Sequence, residues 1–442
     1  MTPLNPPAAV LEIARRLEDA GFQAWCVGGA IRDALLGHPH LDWDLATSAT
    51  PEEVRRLFGK RTIPVGIEFG TVGVLDKAGT MHEVTTFRRD VKTDGRHAVV
   101  EFGASLDDDL ARRDFTINAI AYSPREDEIR DPFDGRGDLA RRVVRAVGDA
   151  DARMREDRLR ALRAIRFAAR FDFSIDASTL RALEASAPYL GRLSAERVKQ
   201  ELDKTMEQVS CPSRALRLWR DTGAFATLMP SLAKASDEAL SVPDFLARPG
   251  LQRRPARRTL RMAGLLASLG HRDAVRQLER LKSSKIEIQT VGALLESWES
   301  CGEAIVVGLA SGADRRPSDA QVRRWVAVIT RTRVGLFMRL ASAMWAAARA
   351  NGRPAPTTQA VRALHRRMLV VAFRDPLDLG SLAVDGDDLR RAGIPAGPEL
   401  GKILRSLMTA VIDDPGRNTT DWLLQEAKRL HTSGEPGAGG AS

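Results

Sequence analysis

The chain has 442 residues and a net charge of +9, with 43% hydrophobic and 28% charged residues. This length exceeds what one hydrophobic core usually supports, so more than one packed unit is expected. No stretch without a charged residue exceeds 12 residues, the length of Thr222 to Ala233, and this is too short to span a bilayer. Because the N-terminus lacks the pattern of a secretory signal, we expect a cytoplasmic protein. The excess of positive charge favours a polyanionic partner.

Hydrophobic periodicity changes along the chain. The first 140 or so residues alternate short β-patterned runs with short helical runs, whereas helical periodicity prevails from about Asp149 onward. This order predicts an α/β or α+β head that is followed by helices to the end of the chain.

A pair of glycines, Gly28 and Gly29, ends one β-patterned run and precedes a short helical pattern that contains Arg32 and Asp33. Glycines allow the backbone to approach a ligand closely, and helix N-H groups beside a guanidinium suit phosphate. The same residues also fit a tight turn in which Arg32 and Asp33 pair on the surface. Taken alone, this segment leaves both interpretations open.

Two carboxylates, Asp42 and Asp44, follow Gly29 inside another β-patterned run. Residues i and i+2 of a strand project from one face, and two converging carboxylates suit Mg²⁺. A lone pattern of this kind is more often a solvated turn. A phosphate cradle followed by a two-carboxylate site is what phosphoryl transfer requires, however, so we predict that Asp42 and Asp44 are catalytic and bind metal. Glu83, in a later β-patterned run, either adds a third carboxylate or lies on the surface.

The segment Arg112 to Ala119 places two arginines, Asp114 and Asn118 among apolar residues. Arginine suits phosphate oxygens, and Asp and Asn side chains can bond ribose hydroxyls. We therefore include Arg113, Asp114 and Asn118 among the candidate nucleotide-binding residues. The alternative is an ordinary salt-bridged helix start.

Seven motifs of this kind follow one another between about Trp25 and Met206. They are GGAIRD, DWD, VTTFR, TDGRH, RRDFTINA, DPFDGRGDL and EDRLRALRAIRF. In content, order and spacing they resemble the class II CCA-adding enzyme and bacterial poly(A) polymerase family of the polymerase-β-like nucleotidyltransferases. The segment from Arg88 to about Asp109 resembles that family's flexible loop.

The resemblance implies an α+β fold, in which a nucleotidyltransferase head with a small mixed sheet precedes a helical neck, body and tail. The expected boundaries are 1–142 for the head, 143–208 for the neck, 209–310 for the body, 311–431 for a tRNA-binding tail and 432–442 for a disordered end. It also implies Mg²⁺ at Asp42 and Asp44, and nucleotide contacts from Gly28, Gly29, Arg32 and Arg113. The remaining nucleotide-site residues that it implies are Glu156, Asp157, Arg160, Arg163 and Arg166.

Asp157 and Arg160 are implied to read the base, and helical geometry gives a separate argument. At 100° per residue, Glu156, Asp157, Arg160 and Arg163 share one face of a helix. A carboxylate beside a guanidinium matches a base that presents an amino donor next to a ring-nitrogen acceptor, as cytosine and adenine do. Guanine and uracil present the opposite arrangement. An i,i+3 salt bridge on a helix surface is the competing interpretation.

The predicted function is repair or addition of the 3′ CCA of tRNA from CTP and ATP, without a nucleic-acid template. A poly(A) polymerase and a CC-only or A-only enzyme are the nearest alternatives. The segment Thr62 to Thr71 looks like the CCA-adding version, and the long Arg88 to Asp109 segment disfavours a CC-only enzyme. A basic RNA-binding protein with an inactive head is a further alternative, which the intact Asp42 and Asp44 disfavour.

Overall fold

The computed structural model of the protein describes residues 4–38, 43–93, 98–246, 255–310 and 317–434. The chain divides into two compact units, residues 1–234 and residues 235–442. The expected boundaries of head, neck, body and tail are finer than this division and stay a prediction. Of the expected disordered end, residues 432–434 belong to the last helix and residues 435–442 lie outside the described part.

The N-terminal part of the first unit is built from strands and short helices. Its strands are β1 (Ala24–Val27), β2 (Asp44–Thr47), β3 (Thr62–Gly66), β4 (Thr71–Leu75), β5 (Met81–Thr86), β6 (Arg88–Thr93), β7 (Ala98–Phe102), β8 (Ala121–Ser123) and β9 (Glu128–Arg130). Its helices are α1 (Ala8–Asp19), α2 (Gly29–Leu35), α3 (Pro51–Phe58), α4 (Leu106–Ala111) and α5 (Gly135–Arg141).

Seven of these strands form one mixed sheet in the order β3-β4-β5-β2-β1-β8-β9. Strand β2 runs antiparallel to β1 and parallel to β5, whereas the other neighbours are antiparallel. The central strands are apolar and buried because they lie between neighbours, as Val27 and Ala46 illustrate. The predicted α+β head with a small mixed sheet is confirmed.

The expected flexible loop from Arg88 to about Asp109 contains regular structure. Strands β6 and β7 pair as an antiparallel ribbon separate from the main sheet, and α4 begins at Leu106. Residues 94–97, which belong to the TDGRH motif, lie outside the described part. The flanks of the segment form a β-ribbon and the start of a helix, and the resemblance to a flexible loop stays a prediction.

Helices make up most of the rest of the first unit. They are α6 (Ala150–Glu156), α7 (Leu159–Phe171), α8 (Ala177–Ser186), α9 (Ala195–Gln208), α10 (Ser213–Asp221) and α11 (Ala224–Leu228). Two very short parallel strands, β10 (Val143–Val144) and β11 (Ser174–Ile175), pair between them.

One helix of the sequence-based expectation is two helices in the structure. Helix α6 ends at Glu156, and α7 begins only at Leu159. Asp157 has an extended backbone, and its Oδ1 accepts a hydrogen bond from the Leu159 backbone N-H at 3.0 Å. Asp is favoured in such positions because its carboxylate satisfies an N-H group that the helix start leaves unpaired. The argument that placed Glu156 and Asp157 on one helical face with Arg160 is therefore wrong.

The second unit is helical throughout its described part. Its helices are α12 (Asp237–Ser241), α13 (Pro255–Leu266), α14 (His271–Arg280), α15 (Lys285–Ala310), α16 (Asp319–Ile329), α17 (Val334–Ala350), α18 (Thr358–Arg374), α19 (Gly386–Arg391), α20 (Pro398–Asp413) and α21 (Thr420–Gly434). One apolar core cluster joins α19, α20 and α21 through residues such as Leu389, Leu407 and Leu423. The predicted helical C-terminal half is confirmed for these residues.

Candidate active site

A cavity of about 730 Å³ opens within the first unit. Its walls come from the β1-α2 turn, the starts of β2 and β4, strand β5, the Arg112 to Asn118 segment, and helices α7 and α9. The predicted site residues that line it are Gly28, Gly29, Arg32, Asp44, Glu83, Arg113, Asp114, Asn118, Asp157, Arg160, Arg163 and Arg166. Glu156 does not line it, and Asp42 lies outside the described residues.

The β1-α2 turn needs glycine at Gly28. Its φ of 76° lies in the left-handed region, and a Cβ there would lie 3.1 Å from the Arg113 Nη1 atom. Arg32 is only 4% exposed, donates to Asp33 and to the Asn118 side chain, and lies over the Phe167 ring. The Arg32-Asp33 pair exists, but it is buried at the cavity wall instead of lying on the surface.

Burial lowers the pKa of Arg32, and the neighbouring Asp33 carboxylate opposes this shift. A guanidinium keeps its charge despite such a shift, because its ordinary pKa is far above neutral pH. Arg32 therefore offers a fixed positive charge in a largely dehydrated wall.

Two carboxylates, Asp44 and Glu83, lie side by side in the cavity. Strands β2 and β5 are parallel with Leu45 opposite Val84, so the preceding residues Asp44 and Glu83 occupy adjacent positions, and both side chains line the cavity. Strand β2 begins at Asp44, and Asp42 is not described, so the predicted convergence of Asp42 with Asp44 stays a prediction. The position of Glu83 favours a site role over a surface role.

Carboxylate oxygens are the ligands that Mg²⁺ prefers, so the Asp44-Glu83 pair has the chemistry of a divalent-cation site. Within the described ranges, which omit Asp42, no cluster of three or more His, Cys, Asp or Glu side chains has the arrangement of a metal site. The metal-binding assignment therefore depends on Asp44, with Glu83 beside it.

Asp114 connects the Arg112 to Asn118 segment with helix α7. It accepts hydrogen bonds from the Arg163 Nε at 2.7 Å, the Asn118 Nδ2 at 2.9 Å and the Phe115 backbone N-H at 2.8 Å. Burial alone would raise the pKa of Asp114, but the Arg163 guanidinium and these hydrogen bonds hold it below the ordinary value. Arg163 is thereby fixed at the cavity wall. The segment follows α4, whose C-cap is Arg112, so the alternative interpretation as a salt-bridged helix start is wrong.

Asp157 and Arg160 line the cavity but do not pair with each other among the contacts of the described residues. The Asp157 Oδ2 accepts from Arg197 of α9 at 2.7 Å. Arg160 donates to the Glu156 carboxylate at 2.6 Å and to the Arg112 backbone carbonyl at 2.9 Å. The i,i+3 salt bridge that was the competing interpretation is therefore absent from the described contacts.

Both side chains keep hydrogen-bonding capacity. A carboxylate has about four acceptor sites and a guanidinium has five N-H donors, and the contacts above occupy only part of each set. Glu156, which was predicted to bind nucleotide, does not line the cavity, but its bond to Arg160 orients a residue that does.

Arg166 lies deeper than a simple nucleotide contact would require. Its guanidinium is bonded to Glu201 at 2.7 Å, and the two side chains are 4% and 2% exposed. Burial alone would raise the pKa of Glu201, but the Arg166 guanidinium lowers it, and the pKa lies below its ordinary value. Next to this pair, Arg170 donates to Asp33 at 3.1 Å and joins α7 to α2. Arg166 thus lines the cavity and also ties α7 to α9.

Several cavity residues were not predicted from the sequence. They are Thr71, Thr85, Arg88, Arg112, Arg170, Arg197, Lys204 and Gln208, together with the apolar Val27, Leu159 and Phe167. Arg197, Lys204 and Gln208 reach the cavity because α9 packs on α7. In all, ten basic side chains and four carboxylates line the cavity, so the cavity suits a polyanionic ligand.

The fold and the site define a nucleotidyltransferase of the polymerase-head class. Residues 24–145 match the family described as "Poly A polymerase head domain", and residues 172–236 match "Probable RNA and SrmB- binding site of polymerase A". The first match covers the sheet and the second includes α9, whereas α7 lies between the two matched ranges.

Relatives that match nearly the whole chain define the family more narrowly than these two domain matches. The CCA-adding enzyme of Geobacillus kaustophilus is 36% identical over 97% of this chain and 99% of its own length. The enzyme of the same name from Latilactobacillus sakei is 35% identical over 95% and 98%. The crystal structure of the Bacillus stearothermophilus CCA-adding enzyme in complex with CTP superposes with a TM-score of 0.74, at 32% identity over 96% of this chain and 98% of that chain. The chain therefore belongs to the CCA-adding enzyme family.

None of the helices in the described part of the chain has the length and apolar character that crossing a bilayer requires.

Proposed function

We propose that this protein restores the 3′ CCA terminus of tRNA, with CTP and ATP as its substrates and no nucleic-acid template. The observation that carries the proposal is the cavity itself. It places a carboxylate pair (Asp44 and Glu83), a basic wall and a base-reading candidate pair (Asp157 and Arg160) around one volume. Cytoplasmic residence is part of this proposal.

The reaction is attack by the 3′-hydroxyl of the tRNA on the α-phosphate of the bound nucleotide, with pyrophosphate leaving. The triphosphate lies against basic residues of the wall, such as Arg32 and Arg113, because a guanidinium fork matches phosphate oxygens. Gly28 and Gly29 leave room for the phosphates at the β1-α2 turn. Preorganised positive charge of this kind stabilises the charge that develops at the α-phosphate.

Asp42 and Asp44 are the proposed catalytic residues and would hold Mg²⁺ together. Glu83 lies beside Asp44 and fits the same ion. When bound, the ions lower the pKa of the attacking hydroxyl and neutralise phosphate charge. Divalent metal ions are general in nucleotidyltransferases of this class, and the assignment to magnesium follows from the oxygen donors.

Base selection falls to Asp157 and Arg160. The Asp157 carboxylate, fixed by Arg197, accepts from the exocyclic amine of cytosine or adenine. Arg160, fixed by Glu156, donates to the ring nitrogen. Guanine and uracil present donors and acceptors in the opposite order. An acceptor of the base would then face the Asp157 carboxylate, and a donor would face the Arg160 guanidinium. Selection then comes from the protein and needs no template.

The proposal is tested with tRNAs that end before, within and after CCA, each incubated with one labelled nucleotide at a time. CTP should be incorporated first, ATP only after two cytidines, and addition should stop after three nucleotides. Long adenosine tracts on unrelated RNA would instead establish a poly(A) polymerase. Cytidine addition without adenosine, or the reverse, would establish a partial enzyme.

A further inference from the structure

An exposed aromatic ring lies between arginines on the surface of the first unit. Tyr189, in the short 3-10 turn Ala187–Arg192 that follows α8, is 47% exposed. The guanidinium carbons of Arg158 and Arg192 lie 4.8 Å and 5.3 Å from its ring centroid. These are cation-π distances, so the ring holds two cationic groups near each other at the surface.

The arginines around this ring lack acidic partners. Arg158 donates from its Nη1 atom to the Ser186 hydroxyl at 3.0 Å. No carboxylate of the described residues forms an ion pair with Arg155, Arg158 or Arg192. The pKa of Arg158 is lowered, first by burial and then by the nearby positive charges of Arg192 and Arg155. Arg158 thus lies near two further cations, and none of the three forms an ion pair with a described carboxylate, which suits an external anion.

The neighbouring arginines of the cavity differ in this respect. Arg160, Arg163 and Arg166 each bond a carboxylate of the protein. Their charge is therefore partly neutralised and their geometry is fixed from within. The arginines around Tyr189 have no such carboxylate partner among the described residues.

The position of the ring relates it to the cavity. Arg158 directly follows Asp157, whose side chain lines the cavity, and Arg155 lies in α6 next to Glu156. Helix α6 packs against α8, which leads into the Tyr189 turn. An RNA with its 3′ end in the cavity would therefore have charged backbone within reach of these arginines.

We propose that Arg155, Arg158, Tyr189 and Arg192, here called the Tyr189 patch, bind the phosphate backbone of the tRNA whose 3′ end enters the cavity. The inference rests on the proposed function and adds a primer-binding surface in the first unit. The guanidinium groups bind phosphate through their planar forks. Tyr189 is a positioning residue, because its ring holds Arg158 and Arg192 in place. The RNA-binding match at 172–236 includes Tyr189 and Arg192 but not Arg155 and Arg158.

The test measures tRNA affinity at several salt concentrations for the full chain and for Arg155→Ala, Arg192→Ala and their double variant. Arg158 stays intact because it adjoins Asp157. The matched control is Arg181→Ala, which removes an exposed arginine from α8, about 140° around that helix from Ser186. Each single patch variant should lower the slope of log affinity against log salt by about 1, and the double variant by about 2. KM for tRNA should rise, whereas kcat and KM for CTP should not change.

Tyr189 separates positioning from simple apolar contact. Tyr189→Phe keeps the ring and should bind tRNA like the wild type. Tyr189→Leu removes the ring and should weaken binding as the arginine variants do. Equal affinity in Tyr189→Leu and wild type would overturn the positioning role.

Unchanged tRNA affinity and salt slope in the double variant would overturn the proposal, even if the wild type adds CCA normally. An equal loss in Arg181→Ala would also overturn it, since net charge and not the patch would then carry binding. Failure of the proposed function is seen separately, as a wild type that incorporates neither CTP nor ATP. Because affinity is measured without turnover, that failure leaves the binding result readable.

Discussion

The two units of the molecule bury charge very differently. In the first unit, the buried charged side chains of the described residues are Arg32, Asp33, Asp109, Asp114, Asp138, Arg166, Lys199 and Glu201. In the second unit, the described residues bury only Arg261 and Glu287 in this way. Taking charges out of water is expensive, and a buried ion pair rarely repays that cost in stability. A helical unit of similar size folds with far fewer of them.

The second unit shows what folding alone needs. Its core cluster includes Leu407, Val411 and Leu423, and several of its ion pairs lie at the surface, as in Arg324 and Asp413, whose side chains are 58% and 37% exposed. In the first unit, the Arg166-Glu201 and Arg163-Asp114 pairs lie at the cavity wall. The comparison indicates that the buried charge at the cavity wall, as in Arg32, Asp114 and Arg166, serves the geometry of the site.

Asp44→Asn should have the largest effect. The substitution keeps the shape of the side chain but removes the negative charge on which metal binding in the cavity depends. We expect kcat for CTP addition to fall by at least about 10³-fold, because metal ions supply several kcal/mol of transition-state stabilisation. Affinity for tRNA, measured by equilibrium binding, should be nearly unchanged.

The matched control for Asp44→Asn is Asp421→Asn, an exposed position near the start of α21 in the second unit. It should leave kcat unchanged. Normal turnover in Asp44→Asn would contradict the assignment of Asp44.

Glu201→Gln should strongly destabilise the first unit. The variant leaves the Arg166 guanidinium buried without its carboxylate, which typically costs about 3–5 kcal/mol. Urea denaturation measures the loss. The control is Asp413→Asn in the surface pair of the second unit, which should leave the unfolding midpoint within error of wild type. Similar losses in both variants would contradict the contrast between the units.

The same variant has a pH signature. Because the pKa of Glu201 is lowered in the folded state, its contribution to stability is present above the ordinary glutamate value. It is lost as pH falls from about 4.3 through the depressed value. The free energy of unfolding of the wild type should therefore fall more steeply with decreasing pH than that of Glu201→Gln. The difference between the two slopes corresponds to at most one bound proton. If the stability of the two proteins fell in parallel as the pH decreased, the pairing with Arg166 would not lower the pKa of Glu201.

Asp157→Ala and Arg160→Ala should change which nucleotide is used. Each variant removes one of two contacts to the base, so preference for C and A over U and G should fall by about 1–3 kcal/mol. The measurement is kcat/KM for all four nucleotides. An unaltered preference in both single variants would refute base reading by this pair.

The alternative to base reading is a purely structural role for Asp157 and Arg160. It predicts lower stability with unchanged preference. Partial recovery in the swapped variant Asp157→Arg with Arg160→Asp would be expected only of a direct Asp157-Arg160 salt bridge. Because Asp157 bonds Arg197 and Arg160 bonds Glu156, the swap would set like charges together. We therefore expect no recovery.

Gly28→Ala should have the smallest effect of the four. Both Gly28 and Gly79 have positive φ, at 76° and 81°, so alanine at either should cost about 1–2 kcal/mol of stability. Only at Gly28 would the new Cβ press on Arg113, whereas the space at Gly79 is open. KM for nucleotides should rise in Gly28→Ala and stay unchanged in Gly79→Ala. Equal KM values in Gly28→Ala and Gly79→Ala would indicate that Arg113 does not contribute to nucleotide binding.

Local patterns in the sequence predicted much of this fold. The run that ends at Gly28 is β1, the helical pattern after it is α2, and the run that contains Glu83 is β5. These elements follow hydrophobic periodicity, which depends on near neighbours. The break between α6 and α7 was missed because periodicity continues through Asp157. The signal that could have indicated it is an Asp two residues before Leu159, a position in which it can cap a new helix.

The candidate site was predicted where its residues lie in short motifs and missed where tertiary packing supplies them. Arg170 and Gln208 have no local feature that separates them from other polar residues of a helix. They reach the cavity because α7 packs on α9 and against α2. Conversely, the burial of Arg32 and Asp33 could not be predicted, because an Arg-Asp pair has the same sequence whether it lies on the surface or in the interior.

The central claim is that side chains of this protein select C and A without a template. It is tested most directly by the equilibrium affinity of the wild-type protein for each of the four nucleotides, with divalent metal present and RNA absent. We predict that CTP and ATP bind at least about tenfold more tightly than UTP and GTP, because Asp157 and Arg160 read the base by themselves. Equal affinity for all four, with selection appearing only when tRNA is added, would contradict the claim.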